Sequence, residues 1–301
     1  FQLDSFHIMP KLDISHHKLF TGHKQSVYTV AKDGDEGFFT AGSEGLIVHW
    51  PNANEDDGKV FARLPESVFS IYFDETNQTM MAGGQHGNLY ILKKGESAKI
   101  IKKHESSIFW IGRYQDHYVS CAGDGYIKSW DSRGDRISQK KLSNKSLRCG
   151  SINQEELWVS GSEGRLWELD SDLEIITSHR LGTDSWFAVD RFNDWVFAVG
   201  RDAKLHRWNR LFLDESIQNA HWYSIHALKV SPLGEFLVTG SMDKSIRVWR
   251  PESLKPLASV YSDDENGHKS SVNAVVWLDE NTFVSASDDA MVRCWKLSYS
   301  K

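Results

Sequence analysis

Two short landmarks recur in step seven times along the 301 residues of this chain, and that recurrence leaves few architectures open. The first is a turn residue followed five positions later by a large apolar side chain. The turns stand at Gly45, Gly87, Gly125, Gly164, Ala203, Lys244 and Ala290, and the residues that close them are Trp50, Leu92, Trp130, Leu169, Trp208, Trp249 and Trp295. Successive closing residues lie 42, 38, 39, 39, 41 and 46 positions apart. The second landmark is a serine followed by an apolar residue, the latter 17 to 19 positions before each turn. It reads Ser26-Val27, Ser67-Val68, Ser107-Ile108, Ser146-Leu147, Ser185-Trp186, Ser224-Ile225 and Ser271-Val272. Two signals locked together seven times describe seven copies of one structural unit.

Each unit divides into short β runs. In the first, Val27 to Val30, Gly37 to Thr40 and Leu46 to Trp50 are rich in β-branched and aromatic residues, with Gly, Asp and Asn between them. A fourth run follows the closing residue, as in Lys99-Ile100-Ile101 and Leu254 to Val260. Long helical periodicity is absent. A period of about 41 residues with four strands per repeat predicts an all-β fold, a seven-bladed β-propeller of four-stranded antiparallel blades. After Trp295 only six residues remain, too few for a turn and a fourth strand, whereas 22 residues precede His23 unclaimed. Ile14 to Phe20 is therefore expected to cross over and complete the last blade, which closes the ring and removes two free strand edges. The expected organisation is an N-terminal extension over 1–13 and a single propeller domain over 14–301.

Charge and cysteine usage narrow the function classes. The chain carries 35 Lys and Arg against 41 Asp and Glu, a net charge of −6, so the cationic surplus that a nucleic-acid binder uses on phosphates is missing. No run of about 18 apolar residues is present, and neither a membrane nor a nucleic acid is an expected partner. The first residues, Phe1-Gln2-Leu3-Asp4-Ser5, lack the basic and apolar regions of a secretory signal. Cys121, Cys149 and Cys294 are odd in number and have no CxxC spacing, which suits a reducing compartment and points to the cytoplasm.

The best-formed units are the last two. The sixth holds His221, Thr239-Gly240-Ser241-Met242-Asp243 and Ser245-Ile246-Arg247-Val248-Trp249, and the seventh holds Gly267-His268, Ser285-Ala286-Ser287-Asp288-Asp289 and Val292-Arg293-Cys294-Trp295. These residues resemble the WD-repeat family, over nearly the whole chain from Ile14 onward. In outline the chain is also similar to short stand-alone WD-repeat proteins of some bacteria. The resemblance implies a buried network of turn Asp, His, Ser or Thr, and Trp: His221, Thr239, Asp243 and Trp249 in blade six, His268, Ser285, Asp289 and Trp295 in blade seven. His23 and His104 hold the His position of blades one and three, but Leu64, Ser143 and Gly182 replace it elsewhere. Blades two, four and five are thus expected to rely on apolar packing.

Acids and histidines spaced one per blade point to seven places rather than to one catalytic centre, and no GxSxG, HExxH or GxxxxGK[ST] pattern occurs. No catalytic residue, metal site or cofactor is expected. His16-His17 are strand neighbours facing opposite sides and cannot share an ion. The residue after each Ser-apolar pair forms the informative column: Tyr28, Phe69, Phe109, Arg148, Phe187, His226 and Asn273. Apolar residues at both the first and fourth positions of this strand predict a bulge that re-aims the intervening side chains. In the family this slot lines the mouth of the central channel, where peptides commonly bind. Ser43, Gln85, Gly123, Ser162, Arg201, Met242 and Asp288 are expected to flank the same mouth, with Arg148 and Arg201 giving it a positive edge. Large side chains there either bind a partner or plug the channel. The reading is a non-enzymatic scaffold for a protein or peptide, the preferred ligand being extended, with an apolar side chain and a nearby acid. Two alternatives remain: a substrate receptor of a ubiquitin-ligase-type complex, from the W-D-x-R pattern at Trp130-Asp131-Ser132-Arg133, and a propeller enzyme or small-ligand binder with its site at the channel end.

Overall fold

A computed structural model describes residues 11–300 except 94, 97, 103, 154 and 183; most of the expected 1–13 extension lies outside them. Seven four-stranded antiparallel sheets form, each one blade. Blade one runs from its inner strand Val27–Asp33 through Gly37–Gly42 and Leu46–Trp50 to its outer strand Lys59–Arg63. The same order repeats through blade six. Blade seven takes three strands from the C-terminal end, Val272–Trp277, Thr282–Ser287 and Val292–Tyr299, and its outer strand, Leu12–Phe20, from the opposite end. This closing strand starts two residues before Ile14 and pairs along its length with the last strand, from Leu12 opposite Tyr299 to Phe20 opposite Val292.

The apolar residues collect in seven clusters, one in each gap between neighbouring blades, and none at the centre of the ring. That partition follows from the sequence period: each blade presents two apolar faces, and only another blade can cover them. The closing strand serves two gaps. Leu12 joins the cluster between blades six and seven, and Phe20 joins the one between seven and one, edge-on to Phe38 and Trp50 at 5.0 and 5.1 Å.

The two sequence landmarks meet in space. In all seven blades the serine carbonyl accepts a hydrogen bond from the backbone N–H two positions before the turn residue, from Ser43 to Ser26 at 2.9 Å round to Asp288 to Ser271 at 3.0 Å. The approach is close enough that Cβ atoms at Gly42 and Gly200 would lie 2.0 Å from the carbonyl oxygens of Ser26 and Ser185. All seven turn residues have positive φ, including Ala203, Lys244 and Ala290, where a side chain tolerates what glycine adopts freely. Among the described residues, no helix is long and apolar enough to cross a membrane.

Candidate functional site at the channel mouth

Every inner strand carries a bulge at its second residue. The register skips one position between Val27 and Thr29, Val68 and Ser70, Ile108 and Trp110, Leu147 and Cys149, Trp186 and Ala188, Ile225 and Ala227, and Val272 and Ala274. The skipped residues are Tyr28, Phe69, Phe109, Arg148, Phe187, His226 and Asn273. Freed from the ladder, all seven line one cavity of about 200 Å³ and are half-buried.

These side chains touch in sequence around the mouth. Tyr28 stacks on Phe69 at 5.2 Å and Phe69 tilts against Phe109 at 5.6 Å. The Arg148 guanidinium lies over Phe109 at 4.5 Å and over Phe187 at 5.8 Å, and Phe187 meets His226 edge-on at 5.3 Å. Ser271 Oγ stands 3.3 Å from His226 Nδ1 and 3.2 Å from Asn273 Oδ1, while Asn273 Nδ2 donates to the Val27 carbonyl at 3.0 Å, closing the circle. Aromatic pairs and cation–π contacts of this kind hold each other in place without filling the opening.

The flanking loop residues reach the ring unequally. Arg148 Nε donates to Ser162 Oγ at 3.4 Å, and Asn273 Nδ2 donates to Asp288 at 2.7 Å. A Cβ at Gly123 would touch Phe109 at 3.4 Å. Ser43, Gln85 and Met242 are positioned by their backbone bonds, and Ser43 Oγ also donates to Gln25 at 2.9 Å. Burial, and then repulsion from Arg201, lowers the pKa of Arg148. Among the described residues neither arginine enters an ion pair. His226 is lowered by burial, with Asn273 and Asp288 opposing and Arg148 adding to the fall. Trp222, Tyr223 and Met242 extend the face over blade six, 81%, 62% and 53% exposed. The column did not include the two aromatics, whose only sequence signal was adjacency to Ser224.

Behind the mouth lie the His-centred networks. In blade seven Trp295 Nε1 donates to Ser285 Oγ at 2.8 Å, which sits 2.7 Å from His268 Nε2, and His268 Nδ1 faces Asp289 at 3.0 Å. Trp is a donor only, so the serine hydroxyl accepts from it and donates its own O–H to Nε2, which leaves Nδ1–H for the carboxylate. Blade six repeats this with Trp249, Thr239, His221 and Asp243, blade three with Trp130, Ser120, His104 and Asp124, and blade one with Trp50, Thr40, His23 and Glu44.

Two of the remaining blades depart from the expected apolar packing. In blade two Glu66 accepts from the Tyr90 hydroxyl at 2.6 Å and from Asn88 at 2.5 Å, so a carboxylate–phenol pair replaces the histidine. In blade five His206, from the third strand, lies 2.7 Å from Asp202 and 3.4 Å from Glu215. Trp186 fills the space left by Gly182, its ring 4.0 Å from where a Cβ would stand. Both substitutes come from positions that the repeat period does not mark.

The networks set the acid sensitivity of the ring. Burial lowers the pKa of His23, His104, His221 and His268, their acidic partners only partly opposing it. Burial tends to raise the carboxyls of Asp124, Asp243 and Asp289, but the histidine hydrogen bonds and backbone N–H groups hold them below the usual carboxylate range. Both shifts mean that the unfolded chain binds more protons than the folded one. Stability is therefore complete above the histidine reference near 6.5, falls as pH drops below it, and falls again below about 4 as the acids protonate. The urea midpoint is expected to decrease monotonically from pH 7 to pH 4; a maximum near pH 5 would contradict this.

The other sequence candidates are spread out. His16 packs edge-on to Trp295 at 5.6 Å and His17 bonds Asn54 at 2.7 Å, and no metal-competent cluster exists among the described residues. Trp130 is fully buried, and Arg133, 79% exposed, folds its Nε onto Asp131 at 3.2 Å.

The family description "WD domain, G-beta repeat" matches residues 15–51, 215–250 and 258–296. Each match opens on the outer strand of one blade and ends on the third strand of the next, and the blades so completed, one, six and seven, all hold the full network. Serine-threonine kinase receptor-associated protein of Bos taurus is 25% identical over 245 residues, covering 77% of this chain and 68% of that protein. The Denticleless protein homolog of Homo sapiens is 25% identical over 291 residues, 92% of this chain but 35% of that protein. Nuclear distribution protein nudF of Aspergillus niger is 23% identical over 276 residues, 77% of this chain and 60% of its own length. Among solved structures, the WD40 beta propeller domain of Doa1 superposes with a TM-score of 0.85 at 15% identity, covering 94% of this chain and 97% of that one.

Proposed function

This chain belongs to the WD-repeat β-propeller family, and from that premise we propose that it is a non-enzymatic scaffold that holds a protein or peptide at the channel mouth. The observation that carries this reading is the ring of seven bulged side chains around one cavity of about 200 Å³, four of them aromatic and one the cation Arg148. The Arg148 guanidinium lies over Phe109 at 4.5 Å, and among the described residues no carboxylate forms an ion pair with it. An acidic group on a partner would supply that counter-charge, while an apolar side chain beside it enters the cavity. Aromatics and arginine are the side chains that most often carry binding energy at interfaces. The bulges hang from rigid sheets, so little order is lost on binding. Trp222, Tyr223 and Met242 add exposed apolar area on the adjoining blade.

Catalysis is a poorer fit. His226, the one imidazole of the ring, meets the Ser271 hydroxyl and Phe187, but that hydroxyl also bonds Asn273 Oδ1 and is not among the residues that line the cavity. The three buried free thiols, Cys121, Cys149 and Cys294, suit a reducing compartment, and the cytoplasm is the proposed setting. A peptide combining an acid with a large apolar residue is expected to bind at least about tenfold more tightly than its basic counterpart, and Arg148→Glu to erase the difference. Tight binding of a strictly basic peptide, indifferent to Arg148→Glu, would overturn the reading.

A further inference from the structure

Below the mouth the channel is divided. The residue that follows each bulge is small in six blades: Thr29, Ser70, Cys149, Ala188, Ala227 and Ala274. In blade three it is Trp110. Its indole lies across two glycines: a Cβ at Gly112 would stand 2.7 Å from Cζ2, and one at Gly150 would stand 2.7 Å from Cε3. Trp110 lines both the mouth cavity and a second cavity of about 480 Å³ beneath it. Gly150 and Lys229 line both as well, so these three residues form a wall that the two cavities share.

The lower chamber has the make-up of a small-molecule site. Its volume falls within the roughly 300–1,000 Å³ of such sites, and its walls are mostly apolar, with Ile71, Phe73, Ile152 and Val276 facing Trp110. Three cations and one acid line it: Lys32, Arg113, Lys229 and Glu75. The arrangement behind the cations is specific. Asp74, its side chain 2% exposed, anchors Arg113 at 2.8 Å, and Asp190, 11% exposed, anchors Lys229 at 3.2 Å, while the cations remain 27% and 44% exposed. Tyr118 and Asn77 also bond Asp74, and Ser151 and the Val230 N–H also bond Asp190, so both acids are held back by fixed donors. Among the described residues Lys32 pairs only with Asp35, which is 94% exposed, and the Glu75 carboxylate accepts from the Gly34 N–H at 2.8 Å.

We propose that this chamber binds an anionic amphiphile, its apolar body against Trp110 and its acid among Lys32, Arg113 and Lys229. The site is separate from the protein-docking mouth and does not depend on that reading.

The test uses two dyes sharing one apolar body, 1-anilinonaphthalene-8-sulfonate and the neutral N-phenyl-1-naphthylamine. The wild type is expected to bind the sulfonate at one saturable site, and the neutral dye at least tenfold more weakly. Val276→Phe, which fills the chamber, should abolish sulfonate binding, and the double variant Lys32→Gln, Lys229→Gln should reduce the preference at least tenfold. Phe109→Ala at the mouth should leave binding unchanged. The double variant alters half-exposed side chains and stays informative if Val276→Phe fails to fold. Absence of a saturable site, equal affinity for both dyes, or a loss in Phe109→Ala matching that in Val276→Phe would each overturn the proposal.

Discussion

Deleting residues 1–20 is expected to abolish cooperative unfolding and to yield an aggregating chain. The deletion removes the whole outer strand of blade seven, which pairs with the last strand from Leu12 to Phe20. It also strips two core clusters at once: Leu12 leaves the gap between blades six and seven, and Phe20, 1% exposed, leaves the gap between seven and one. Truncating one buried phenylalanine costs about 3–5 kcal/mol, against a total stability of typically 5–15 kcal/mol for a domain. The strand carries a second buried apolar residue, Leu12, and its loss also bares the edge of Val292–Tyr299 to other chains. Phe20→Ala alone should lower the unfolding free energy by about 3–5 kcal/mol and leave a folded ring. Calorimetry separates the cases. An unchanged melting transition in the deletion would mean that the ring does not need this strand.

Asp289→Ala is expected to cost about 3–5 kcal/mol, the range seen when one member of a buried ion pair is removed. The carboxylate answers four groups: His268 Nδ1 at 3.0 Å, Arg293 Nη1 at 3.2 Å, and the N–H groups of Lys269 and Met291 at 2.9 and 3.0 Å. Arg293 and His268 are 7% and 1% exposed, so removal leaves a guanidinium with little water to replace its partner. The loss should be largest in blade seven, read as faster amide exchange along Thr282–Ser287 and Val292–Tyr299. Asp202→Ala in blade five serves as the contrast. His206 keeps Glu215 as a second carboxylate, so a smaller loss is expected. Equal losses at the two sites would refute the claim that the fourfold-bonded acid stabilises more.

What was legible in the sequence follows from what the repeat period fixes. A bulge is a backbone event at a set distance from Ser and Gly, so the mouth column could be read residue by residue. The networks of blades six and seven were expected from the resemblance to the WD-repeat family, in which His, Thr or Ser, Asp and Trp each hold one slot. Glu66 with Tyr90 and His206 with Asp202 were hidden because their partners lie outside those slots. Trp110 was hidden differently. Its place above Gly112 and Gly150 depends on two blades meeting, and no spacing within one repeat encodes that. The sequence left open whether the mouth is plugged. The contacts from Tyr28 round to Asn273 brace the rim and keep a cavity.

The central claim, that partners dock at this rim, is tested most directly by affinity purification from the source cells with mass spectrometry. Wild type is compared with the double variant Phe109→Ala, Arg148→Glu, after thermal unfolding confirms that both fold. Truncating one hot-spot residue typically costs 2 kcal/mol or more, about thirtyfold in affinity, so a partner held by the wild type should be lost from the variant. Partners retained equally by both would contradict the account and move the docking surface away from the mouth.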